Sequence, residues 1–143
     1  MKRCFFFIIS LMLMSAGIAS AARVTVDVST ANIRSGPGTQ YDLLWKVERY
    51  HPLNVIKTSG DWYQFQDFEG DKGWIQKSIV RDYPSVIVIK NKCNVRSGPG
   101  EDFGIAFTAE KGVPFRELER KGDWIQIQHA DGEKGWINKS LVW

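Results

Sequence analysis

A thiol nucleophile works only with a base in reach, and this 143-residue chain offers two cysteines (Cys4, Cys93) and two histidines (His51, His129). The four residues are scattered. Their spacing matches neither a cysteine–histidine pair nor a zinc ligand set, so no catalytic residue and no metal or other cofactor is expected. Past the N-terminal segment Cys93 stands alone, which rules out an intramolecular disulfide there. It reads either as a small buried residue or as a free thiol available for an intermolecular bridge. Among the acids, Asp61 and Asp123 each follow a glycine ahead of an apolar stretch. There a short carboxylate bonds local backbone, and no isolated acid pair suits glycoside hydrolysis.

The aromatic residues say more. Strand alternation through Trp62-Tyr63-Gln64-Phe65-Gln66 puts Tyr63 and Phe65 on one face and Trp62 with the glutamines on the other. In Trp124-Ile125-Gln126-Ile127-Gln128 the isoleucines form the apolar face, and Trp124 again keeps the glutamines' company. A tryptophan on such a face either covers a neighbouring loop or offers a ring and an N–H donor to a ligand. Tyr41 and Phe103 are candidates to rim the same surface. Arg34 and Arg96 are candidates to bind a carboxylate, from a ligand or from the protein itself. Trp74 and Trp136 each follow a glycine and read as packing across the end of a barrel.

These pairs lie 62 positions apart because the chain is written twice. Asn32-Ile33-Arg34-Ser35-Gly36-Pro37-Gly38 recurs as Asn94-Val95-Arg96-Ser97-Gly98-Pro99-Gly100, and Gly60-Asp61-Trp62 as Gly122-Asp123-Trp124. Gly73-Trp74-Ile75 returns as Gly135-Trp136-Ile137. Residues 24–81 and 86–143 align without a gap, with 23 identities in 58 pairs. Each copy reads as all-β. Val24, Val26 and Val28 alternate with polar residues. Leu43–Val47, Leu53–Lys57, Trp62–Gln66 and Gly73–Gln76 give four more strands, separated by turns such as Ser-Gly-Pro-Gly. Two small β-barrels in tandem are expected, over residues 23–82 and 84–143.

Residues 1–22 have the three-part layout of a secretory signal peptide: Lys2 and Arg3, an apolar run from Phe5 to Met14, and Ala19-Ser20-Ala21 before the cut. An uncleaved anchor is the alternative. Without Lys2 and Arg3 the 19 basic residues become 17 against 16 acidic, a net of +1. That balance shows none of the concentrated basic surface that nucleic-acid binding uses. No other apolar run is long enough to span a membrane. A periplasmic or secreted protein is expected.

Asn-(Ile/Val)-Arg-Ser-Gly-Pro-Gly, Gly-Asp-Trp and Gly-x-x-Gly-Trp-Ile, in that order in both copies, resemble the bacterial SH3 (Src homology 3) domain. The resemblance implies an SH3-like barrel of five to seven strands and a role in cell-wall attachment or peptide binding, often beside a hydrolase. One departure bears on the ligand. Where a eukaryotic SH3 domain reads Gly-Tyr-Ile-Pro-x-x-Tyr, this chain reads Gly73-Trp74-Ile75-Gln76-Lys77-Ser78-Ile79, so the usual polyproline groove residues are replaced. The expectation is a non-enzymatic binding protein for peptidoglycan or an envelope peptide, through a groove around Trp62 and Trp124. The alternatives are an adaptor for one envelope protein, or an accessory part of a wall hydrolase with its own activity.

Overall fold

The computed structural model describes residues 22–143; the signal-peptide expectation falls outside them except for Ala22. Glycine- and proline-rich turns break the chain into short antiparallel strands. The first half forms β1 (Ala22–Val26), β2 (Thr30–Arg34), β3 (Leu43–Glu48), β4 (Pro52–Ser59), β5 (Trp62–Gln66), β6 (Lys72–Gln76) and β7 (Val80–Arg81). They pair in the order β3-β2-β6-β5-β4-β1-β7. The second half forms β8 (Ser85–Ile87), β9 (Cys93–Arg96), β10 (Ile105–Ala109), β11 (Pro114–Lys121), β12 (Trp124–Gln128) and β13 (Lys134–Asn138), ordered β10-β9-β13-β12-β11-β8. The topologies coincide strand for strand. At the place of β7, Val142 bridges Val88 and Trp143 exchanges two backbone hydrogen bonds with Ile87.

Alternation chooses each core. Val24, Val26, Ile33, Leu53, Phe65 and Ile75 are buried in the first half. Val86, Val88, Val95, Phe115, Ile127 and Ile137 repeat them in the second. The expected strand through Val28 stops at Val26, where the chain bends, although Val28 still packs on the core. Strands β2 and β9 were not anticipated, since the turn cluster that follows them dominates the local pattern.

At Gly73 an added Cβ would strike Ile33 Cγ2 and approach Phe65 Cζ to 3.1 Å. Glycine is needed there because β6 crosses directly over the core side chains. Elsewhere the copies differ in backbone strain. Tyr50 has φ 74°, a left-handed conformation that its counterpart, Gly112 (φ 88°), adopts without a Cβ penalty.

A short connection, Asp82-Tyr83-Pro84, joins the halves and is held from both sides. The Tyr83 hydroxyl donates to Asp27 Oδ1 at 2.6 Å, its ring meets Tyr50 edge-on at 6.2 Å, and the Arg116 guanidinium lies 4.4 Å from its ring centre. Burial, and then the bonded Asp27 carboxylate, push the Tyr83 phenol well above its ordinary pKa, so it remains a donor. Alongside, Thr25 Oγ1 donates to the Tyr83 carbonyl at 2.7 Å and lies 2.6 Å from Ser85 Oγ. Arg23 donates to the carbonyls of Ser85 (3.2 Å) and Trp143 (2.7 Å) and stacks 4.1 Å over the Trp143 ring.

Candidate functional site

The sharp Gly60-Asp61 turn, with Gly60 at φ +55°, starts β5 on Trp62. Antiparallel pairing sets Trp62 opposite Gln76 of β6, while Phe65 points into the core at 0% exposure. Trp62 is therefore half-buried on the outer face, as alternation predicts. On β2 the same period exposes Asn32 and leaves Arg34 half-buried, between buried Ala31 and Ile33. Together these faces form a groove of about 220 Å³, lined by Val28, Thr30, Ala31, Asn32, Arg34, Thr39, Trp62, Gln76 and Ile79.

The second half repeats the groove at about 380 Å³. All nine positions recur 62 residues later: Lys90, Lys92, Cys93, Asn94, Arg96, Glu101, Trp124, Asn138 and Leu141, with Asn91 and Ser140 added. The structure thus brings Trp62 with Arg34, and Trp124 with Arg96, into equivalent grooves. It places Tyr41 and Phe103 elsewhere. Both rings are about half exposed, at 42% and 46%, and lie over Gly36 and Gly98, where a Cβ would collide with them. The arginines also clasp this loop: Arg34 Nη1 donates to the Tyr41 carbonyl at 3.1 Å and Arg96 Nη1 to that of Phe103 at 3.0 Å. Trp74 and Trp136 are buried at 9% and 7% and line neither groove.

Sequence reading overlooked Asn32 and Asn94, although their spacing of two from an arginine kept in both copies puts each pair on one strand face. It also overlooked Gln76/Asn138, which end β6 and β13, and Ile79/Leu141, which end the 3₁₀ turns Lys77–Ile79 and Lys139–Leu141.

Cys93 lines the second groove without a histidine beside it. It is 4% exposed, its Sγ donates to the Lys90 carbonyl at 3.4 Å, and burial raises its pKa. The thiol is held in its protonated, weakly nucleophilic form. Among the described residues no cluster of three metal-ligating side chains occurs, and no helix is long and apolar enough to cross a membrane.

The histidines belong to a second pair of clefts. One of about 460 Å³ contains Trp45, Glu48, His51, Asp67, Glu69 and Asp71; its counterpart of about 220 Å³ contains Phe107, Glu110, Val113, His129, Asp131 and Glu133. His51 is 8% exposed, and burial depresses its pKa against the opposing pull of the Pro52 carbonyl and Asp67. Its position is an apolar one, valine in the other half. The unfolded chain consequently binds a proton near pH 6.5 that the folded chain refuses, so stability is full above that pH and is lost as pH falls below it. Thermal melts should show the first half weakening from pH 7 to pH 5, and His51→Val should flatten that slope. An unchanged slope in the variant would assign it to other groups.

The bacterial SH3 domain family matches twice, over residues 27–82 and 90–143. YrvJ of Bacillus subtilis (strain 168), named as an N-acetylmuramoyl-L-alanine amidase, is 26% identical over 139 residues, covering 90% of this chain and 27% of its own length. LytH of Staphylococcus epidermidis, named as a cell wall amidase, is 40% identical over 52 residues, covering 36% of this chain and 18% of its own length. The chain thus spans about a quarter or less of these curated relatives. Among solved structures, an NlpC/P60 family protein from Bacillus cereus aligns with TM-score 0.42 at 15% identity, over 85% of this chain and 56% of that one. The endolysin LysPBC5 CBD aligns with TM-score 0.34 at 16% identity, over 86% and 93%. With the family matched over both halves, this protein belongs to the bacterial SH3 domain family.

Proposed function

We propose that this chain binds cell-wall peptidoglycan, or peptides of it, through the paired grooves at Trp62 and Trp124, outside the cytoplasm and without catalysis. The observation that carries the reading is the recurrence of every position of the first groove in the second. Core positions recur because the fold needs them. A concave outer surface that keeps a half-buried tryptophan, an arginine and an asparagine has chemistry to offer a ligand: a ring to stack on, a charge and amide donors. Further support comes from YrvJ, named as an N-acetylmuramoyl-L-alanine amidase, and LytH, named as a cell wall amidase, which carry matching segments. The groove cysteine has no histidine beside it and burial raises its thiol pKa, which favours binding over hydrolysis.

Two weak sites on one chain gain avidity through effective concentration, on the order of 10²-fold or more. Pull-down on purified cell walls tests this. Trp62→Ala or Trp124→Ala should each weaken retention about tenfold, and the double variant should abolish the avidity gain as well. Circular dichroism controls for folding. Equal retention of the folded double variant and the wild type would refute the groove reading, and one dominant cross-linked protein with no wall retention would replace it with an adaptor role.

A further inference from the structure

The grooves share a plan but not a charge. Arg34 is the single formally charged residue lining the first groove. In the second, Val28 is replaced by Lys90, Thr30 by Lys92 and Thr39 by Glu101, so three cations and one carboxylate line a larger cleft. The placement is ordered. Lys90 and Lys92 lie ahead of β9, while Arg96 ends that strand and Glu101 belongs to the loop beyond. Arg96 and that loop are tied by the hydrogen bond to Phe103 O. Between the ends stand Asn94, whose side chain is exposed on the same strand face as Arg96, and Trp124. Neither lysine, nor Arg96, nor Glu101 forms an ion pair with another described residue. Four charges in one concavity, none paired with an opposite charge of the protein, are placed to meet charges on something else.

Resting on the groove reading above, we propose that the second groove selects a peptide segment with free carboxylates and a free amine, and that the first takes an uncharged part of the same polymer. The carboxylates lie against Lys90, Lys92 and Arg96. The amine lies toward Glu101, and the Trp124 ring covers the chain between. A phosphate polymer supplies the negative charge but no partner for Glu101, which favours the peptide.

The test exchanges residues between the halves; Lys92 has a left-handed backbone (φ 51°) that Thr30 does not share, so circular dichroism first confirms that the lysine variant folds. Full chain, Lys90→Val/Lys92→Thr and Glu101→Thr are compared on four preparations of purified walls: untreated, with carboxyls capped as amides, with amines acetylated, and stripped of phosphate polymers by hydrofluoric acid. Lys90→Val/Lys92→Thr should lose about tenfold in retention on untreated walls. Wild type should lose a similar factor on carboxyl-capped walls and nothing on acid-stripped ones. Glu101→Thr should be weakened on untreated walls and should match wild type once wall amines are acetylated. Undiminished wild-type retention on carboxyl-capped walls, or an unaffected lysine variant, overturns the proposal while leaving the groove reading intact if the double tryptophan variant still fails to bind. Loss on acid-stripped walls assigns the anion to phosphate and also overturns it. Absence of wild-type retention on every preparation overturns both.

Discussion

Gly73→Ala is expected to unfold the first half of the chain well before the second. Its Cβ would enter the volume of Ile33 Cγ2 and lie 3.1 Å from Phe65 Cζ and 3.3 Å from Trp45 Cη2. Ile33 and Phe65 are wholly buried, so neither can swing aside without opening the core. Overpacking of this kind costs about 3 kcal/mol. In a domain of some 60 residues that lowers Tm by roughly 10 °C or more. Gly60→Ala is the informative control. Gly60 has φ +55° and nothing within 4 Å of its Cβ position, so it carries only the left-handed backbone penalty of about 1 kcal/mol. Calorimetry should show Gly73→Ala as much the more damaging of the two. If the two variants melted alike, the close crossing of β6 over the core would be wrong. Gly135→Ala should injure the second half in the same way, because its Cβ would meet Val95 Cγ1 at 2.5 Å and the Arg96 carbonyl at 3.0 Å.

Tyr83→Ala is expected to uncouple the halves without unfolding either. It removes a hydroxyl bonded to a carboxylate, an edge-on contact with Tyr50 and the stacking of Arg116. Gross losses of this kind come to about 3 kcal/mol, and all of them fall at the junction, not in a core. The measurable result is a change from one calorimetric transition to two, or a wider gap between two already present. Tyr83→Phe keeps the rings in place and should recover roughly half of the coupling. If Tyr83→Ala left the melting profile unchanged, the contacts across the junction would contribute nothing measurable.

The sequence revealed whatever is periodic or repeated. Alternation placed Phe65, Ile75, Ile125 and Ile137 inside and Trp62 and Trp124 outside, because the strand period is two and one face must be buried. The 62-residue offset made one half a check on the other, which is how a groove residue such as Trp124 stood out beside Ile125. Strand β2 was hidden because Asn32-Ile33-Arg34 runs directly into a glycine–proline turn. The rings of Tyr41 and Phe103 were assigned to the groove rim, but their place over Gly36 and Gly98 depends on how the loop folds back, a long-range result with no local period. His51 fills a position that is valine in the other half, and nothing in its neighbours signals that the imidazole is buried. The contacts of Arg23 with Ser85 and Trp143 join residues 62 and 120 positions apart, and no local pattern encodes them.

Those contacts have a consequence for what the protein can discriminate. On the groove reading proposed above, a joint tied by Arg23, Thr25 and Tyr83 would make the two grooves the jaws of a locked calliper. A flexible tether would let each groove find its own target and would answer only to ligand density. A locked pair answers to the distance between neighbouring targets, since a lattice with the wrong repeat can fill one jaw but not both. Retention would then depend on how the polymer is cross-linked or stretched, even where its chemical composition is unchanged.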